Sequence, residues 1–392
     1  MFLTKEEKRM LEGKYGNAVK KSMEILVALG NIFGAKRLIP VKSVQISGVS
    51  YDNLGDAGIE FLSEMAKDGK VVVPTTLNPA GMDLENWKKL GISKEFAKKQ
   101  KIILDIFAKM GVNITCTCTP YLVGNKPGVG DHIAWGESSA VTYSNSVLGA
   151  RTNKEGGPSS LASALTGRTP EYGYHLDKNR KPVVLVKIEA DLKNEIDFGA
   201  LGKVLGEKLK GKVPLIKGIK KASTEELKSL SASIVTYGGA PLFHIKGITP
   251  EKFRDPKKEI IIKRKDIDEA IKDMNDKIEE IDLVFVGCPH CTLNEIKKIS
   301  ELLKDKKVNK ELWICVSRKI KKISDKKGYS KTIESAGAKF ACDTCPIVAP
   351  LKGRFKAIAT NSAKGVFYNR NKNNFKTFFA TLEDCIELAV RK

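Results

Sequence analysis

The sequence predicts an α/β protein with more than one domain, and three observations carry that expectation. Helical and strand-like segments alternate along most of the 392 residues, the pattern of parallel sheets covered by helices. Several strands are short apolar runs that end directly in loops bearing cysteines, the edge where α/β proteins place their chemistry. Hydrophobic content of 42% with few aromatics is ordinary for a chain with buried cores, and this length suggests two or three domains.

A helix is expected over residues 16–33, followed by a strand at Ser43-Val44-Gln45-Ile46 and the turn Ser47-Gly48-Val49-Ser50. A second helix, 57–67, leads to the strand Val71-Val72-Val73, stopped by Pro74 and Asn78-Pro79. Two helical segments precede the apolar strand Val112-Asn113-Ile114-Thr115-Cys116, which runs into a cysteine loop. Small residues dominate 128–173, compatible with tight helix packing or with a wall facing a ligand. From 182 to 249 strands and helices alternate without clusters of catalytic type. The lysine- and acid-rich segment 249–281 is the best domain boundary, dividing an N-terminal α/β region, 1–250, from a C-terminal one, 251–392. Beyond it come the strand 283–286, helix 293–303, strand 312–316, helix 320–336, strand 357–360 and helix 382–390.

No run approaches the roughly eighteen apolar residues that a bilayer demands. The N-terminus becomes charged too early for a secretory signal, so a cytoplasmic protein is expected. The net charge of +22 is mostly lysine with acids mixed through it, and no nucleic-acid motif accompanies it. It reads as a solvated surface, of a kind also found in proteins from hot environments. A nucleic-acid role stands behind that reading, as do anionic substrates and an acidic partner.

In a reducing compartment the eight cysteines are thiols, metal ligands or redox groups. Cys315 and Cys385 stand alone in apolar contexts and are expected to be buried and inert. The other six fall in three loops: Thr115-Cys116-Thr117-Cys118-Thr119-Pro120-Tyr121, Gly287-Cys288-Pro289-His290-Cys291 and Cys342-Asp343-Thr344-Cys345-Pro346. Cys288-Pro289-His290-Cys291 by itself resembles a dithiol redox motif, but that leaves two loops unexplained. The two CxxC pairs could close a four-thiolate zinc site, although the gap between them is far longer than in compact zinc modules. A third reading takes one thiolate from each loop to hold an iron–sulfur cluster with one open iron. Such an iron would act as a Lewis acid on the hydroxyl and carboxylate of a hydroxy acid, easing the loss of water. Spacing alone leaves the choice within each pair open.

The runs Asn78-Pro79-Ala80-Gly81-Met82-Asp83, Cys116-Thr117-Cys118-Thr119-Pro120-Tyr121 and 130–140, with Tyr143-Ser144-Asn145-Ser146 continuing to Asn153, resemble the aconitase X family. So do the two later cysteine loops, and the likeness covers nearly the whole chain. It implies an aconitase-like multi-domain arrangement around a central iron–sulfur cluster, lacking the mobile fourth, swivel domain. Cys118, Cys288 and Cys345 match the family's ligands, and three ligands fit an open [4Fe–4S] cubane, with a smaller cluster or mononuclear iron as the alternatives. Gly48, Val49, Ser50, Asn78, Pro79, Ser144, Ser146 and Lys364 match positions expected to bind substrate. The implied activity is a hydro-lyase converting (R)-5-phosphomevalonate to trans-anhydromevalonate 5-phosphate in a modified mevalonate pathway. Dehydration of cis-3-hydroxy-L-proline is the alternative within the family. The base is expected to be a serine from a separate small subunit carrying the swivel domain, so no catalytic base is assigned in this chain. His132 is expected to be a packing histidine rather than that base.

Overall fold

A computed structural model describes residues 1–391 of the protein. Among them no helix is long and apolar enough to cross a membrane. The chain builds three α/β units, each around a parallel sheet. In the first, Val44–Ile46 lies between Thr75–Leu77 and Ala134–Trp135, with Val44 opposite Thr75 and Ala134. The helices Asn17–Ile32, Tyr51–Met65, Lys94–Lys109 and Gly157–Thr166 surround it. In the second, the strands run in the order His244–Ile245, Pro214–Lys217, Val184–Ile188, Glu259–Ile262. Its helices Glu195–Leu209 and Thr224–Gly238 pack so tightly that a Cβ at Gly202 would stand 2.5 Å from that of Ser233.

The third unit positions the chemistry. Its five strands lie in the order Lys339–Cys342, Glu311–Val316, Leu283–Val286, Ala357–Thr360, Lys376–Phe379, all parallel. The first strand in sequence is central, and the chain winds to one side before crossing to the other. That reversal puts a topological switch point at the carboxyl ends of Leu283–Val286 and Ala357–Thr360, the place where open α/β sheets bind ligands. Both strands are buried throughout, as expected for near-continuous apolar runs in a sheet covered on two faces.

Several expectations shift. Val71-Val72-Val73 is not a strand: the Val71 and Val72 N–H groups donate to Met110 O and Ala164 O, and the sheet takes up the chain only after Pro74, at Thr75–Leu77. Residues 112–116 contribute a single bridge, Asn113 to Thr76, before Cys116 turns to φ 40°. One helix, Lys94–Lys109, precedes them instead of two. The helix expected over 320–336 breaks at Gly328, φ 80°, into Arg318–Lys326 and Tyr329–Ser335. Ala363–Asn373 and Lys376–Phe379 are additional to the expected elements. That helix buries Ala363, Lys364, Gly365, Val366, Asn369 and Asn373, so it shows no single apolar stripe.

Candidate active site

The second cysteine loop leaves the central strand through Gly287 at φ +92°, where a Cβ would collide with Cys315 O and stand 2.8 Å from Cys291 Sγ. Only glycine fits there. Cys288 follows at the carboxyl edge of the sheet, beside Ser362 at the end of the neighbouring strand. Cys118 arrives from the first unit, and its sulfur accepts the His290 backbone N–H at 3.2 Å. Cys345 arrives from the third loop, where the Val348 and Ala349 N–H groups donate to its backbone carbonyl at 3.1 and 3.0 Å. The three thiols lie within electrostatic reach of one another: Cys288 and Cys345 both act on Cys118, and Cys345 acts on Cys288.

Their neighbours in each loop face elsewhere. Cys116 and Cys342 lie beside Asp343 and Arg318, whereas Cys291 lies beside Glu295 and Lys228. Cys315 and Cys385 are fully buried. Burial pushes the Cys288 thiol up to about 12 and raises Cys118 and Cys345 as well. Such thiols keep their protons until a cation displaces them. Among the described residues no three His, Cys, Asp or Glu side chains converge on a single-ion site. A largely buried set of three thiols within reach of one another, one of them accepting a backbone N–H, suits a multi-atom iron–sulfur group, so the residues present fit one.

Lys364 stands in the first turn of its helix, capped by Ser362, whose oxygen accepts the Gly365 N–H at 2.9 Å. Its ammonium ion-pairs with Glu137 Oε1 and donates to Ser138 Oγ at 3.3 Å. Glu137 Oε2 accepts the Ala140 N–H at 2.7 Å and the Ser139 hydroxyl at 2.5 Å. Burial alone would raise the Glu137 carboxyl, but Lys364 and these donors hold it below its ordinary range. Burial likewise opposes the charge on Lys364, and Glu137 and Cys288 outweigh it and raise its pKa. Both partners are therefore ionised.

The Gly48-Val49-Ser50 turn and the Asn78-Pro79 loop are joined by Gln100, which is fully buried. Its Oε1 accepts the Tyr51 and Gly81 N–H groups at 3.1 and 3.0 Å, and its Nε2 donates to Val49 O at 2.9 Å. Gly48 has φ +75° and open space where a side chain would be. Ser50 Oγ donates to Val348 O at 3.0 Å, and the Ala80 N–H donates to Asp343 O at 2.8 Å, tying both loops to the third cysteine loop. Asp83 completes the join, accepting the Cys342 N–H at 2.9 Å and Arg318 Nη2 at 2.8 Å. Gln100→Leu should strand two N–H groups and one carbonyl. A stability loss of about 2–4 kcal/mol by denaturant titration, with weakened substrate affinity, is the expected outcome.

Ser144 and Ser146 lie on a π-helical turn, Ser144–Leu148, a local distortion frequent at functional sites. Ser146 Oγ accepts the Phe243 N–H at 2.9 Å, whereas Ser144 Oγ and Asn78 Oδ1 are buried with no partner. The fold thus links Cys118, Cys288, Cys345 and Lys364, and ties Gly48–Ser50 and Asn78–Pro79 to the third cysteine loop. No hydrogen bond joins Ser144 or Ser146 to the cysteine loops among the described residues. His132 pairs with His175, Nδ1 to Nδ1 at 2.9 Å, away from the cysteines. Sequence reading passed over Glu137, Gln100 and His290. The signal for Glu137 was present: a lone carboxylate inside a run of small residues.

These features define a class: a three-unit α/β protein whose loops converge at a sheet switch point as a set of buried thiols beside an ion pair. Family models for the aconitase X first, second and third domains match residues 1–178, 182–272 and 281–391. The chain belongs to the aconitase X family. It is 48% identical to the phosphomevalonate dehydratase large subunit of Methanocaldococcus jannaschii, covering 99% of this chain and 100% of that one. The crystal structure of Thermococcus kodakaraensis aconitase X in its holo-form superposes with a TM-score of 0.93 at 46% identity, covering 99% of this chain and 100% of the other. The cis-3-hydroxy-L-proline dehydratase of Pseudomonas aeruginosa is more distant, 31% identical over 98% of this chain and 69% of its own length.

Proposed function

We propose that this chain is the large subunit of a dehydratase that removes water from (R)-5-phosphomevalonate to give trans-anhydromevalonate 5-phosphate. The observation that carries the reading is the 48% identity, along the full length, to a phosphomevalonate dehydratase large subunit. Cys118, Cys288 and Cys345 would hold an iron–sulfur cluster, for which a [4Fe–4S] centre suits three thiolates, and when bound it would supply Lewis acidity toward the leaving hydroxyl and the carboxylate.

The chain's own residues bind and orient. Lys364 offers a buried cation to a substrate carboxylate or phosphate and exchanges Glu137 for it on binding. Gly48-Val49-Ser50 offers backbone N–H groups in an open turn, with Asn78 and Pro79 as the adjoining wall. Asn78 Oδ1 and Ser144 Oγ, buried without partners, are groups that a bound substrate would satisfy, and Ser146 adds a second hydroxyl. A small subunit carrying the swivel domain supplies the base serine, in keeping with relatives named large subunits, and the pair works in the cytoplasm.

Anaerobic co-purification with that small subunit tests the reading. Iron and sulfide should be present, and mevalonate 5-phosphate should lose water while unphosphorylated mevalonate and cis-3-hydroxy-L-proline do not. Turnover of hydroxyproline would instead support the second family activity, and a colourless zinc protein would overturn both.

A further inference from the structure

His290 is fully buried and touches all three cysteine loops at once. Its Nδ1 lies 3.0 Å from Thr117 Oγ1, next to Cys118. Its Nε2 lies 3.1 Å from Thr344 O, next to Cys345, and its own loop carries Cys288 two residues earlier. Its backbone N–H donates to Cys118 Sγ at 3.2 Å, and its carbonyl accepts Lys228 Nζ at 2.9 Å from the second unit.

The chemistry of these partners fixes the proton positions. A carbonyl only accepts, so Nε2 carries the hydrogen; the neutral ring then presents Nδ1 as an acceptor, and Thr117 donates to it. Thr117 Oγ1 in turn accepts the Thr119 N–H at 3.2 Å and lies 3.1 Å from the Thr119 hydroxyl. Every polar atom of His290 is therefore committed, and each link from its ring ends on the residue preceding a ligand candidate.

We propose that His290 is a positioning residue that sets the register of Cys118, Cys288 and Cys345 before and during occupancy, so that the three thiolates hold an iron–sulfur group tightly. This rests on the reading that these cysteines carry the cluster. The ring neither ligates nor reacts; it acts as a cross-brace between loops that are 173 and 54 residues away in sequence.

The test uses the anaerobically purified two-subunit complex and reads iron and sulfide content, visible absorbance, and the rate of iron release to a chelator. H290L, apolar and of similar bulk, and T117V, which deletes one hydroxyl, should each release iron about 10–100-fold faster than the parent. H290Q, whose amide offers a donor and an acceptor, should recover much of that loss. A packing role alone would lower the melting temperature of all three variants without changing iron release. Iron release at the parental rate in both T117V and H290L overturns the proposal while the cluster reading stands. A parent complex lacking iron and sulfide overturns both.

Discussion

Cys118→Ala protein, isolated without oxygen alongside its partner subunit, should contain little iron or sulfide and dehydrate its substrate at least about 10³-fold more slowly. A Lewis acid at the leaving group is worth several kcal/mol of barrier, and each 1.36 kcal/mol is a factor of ten. Loss of one of three thiolates removes that contribution rather than trimming it. The discriminating comparison lies within the same loop. Cys116 is only two residues away and also buried, but its surroundings are Asp343, Arg318 and the Ala80 N–H, not the other two sulfurs. Cys116→Ala should keep iron and activity within a few-fold, as should Cys291→Ala beside Glu295 and Lys228. Iron retained in Cys118→Ala but lost in Cys116→Ala would reverse the assignment within the pair.

Three of the third unit's five strands were legible because they write their burial into the chain, whereas Lys339–Cys342 and Lys376–Phe379 were not. Leu283–Val286 and Ala357–Thr360 are short runs that need no alternation, since both faces of the sheet are covered. The first unit was harder to read. Val71-Val72-Val73 looks the better strand, but Val72 is 63% exposed, and the sheet prefers Thr75–Leu77, whose polar hydroxyls find Val73 O and Val44 O. Local pattern cannot report which carbonyls stand across the gap. The same limit governed the site. Cysteine spacing located the three loops, yet Glu137 meets Lys364 across 227 positions and His290 meets Thr117 across 173. Such pairings exist only once three units have packed, and no periodicity in the chain encodes them.

The ion pair gives the second large effect and separates two jobs done by one lysine. Lys364→Met strands the Glu137 carboxylate at 7% side-chain exposure, where burial disfavours its charge, and breaking a buried pair from one side costs about 3–5 kcal/mol. Denaturant unfolding of the chain should show that loss. Adding Glu137→Gln removes the stranded charge while its amide oxygen still accepts the Ala140 N–H, so the double variant should regain most of the stability. Activity should not follow. If Lys364 meets the substrate's anionic group, both the single and the double variant should remain about 10²–10⁴-fold down in kcat/KM, because the double change restores the fold without restoring the cation. A purely structural lysine would show the opposite result, with stability and activity recovering together in the double variant. Glu137→Gln alone completes the cycle. It should cost stability modestly, and it should strengthen substrate binding if Glu137 competes with substrate for the ammonium, or weaken binding if Glu137 only holds Lys364 in place.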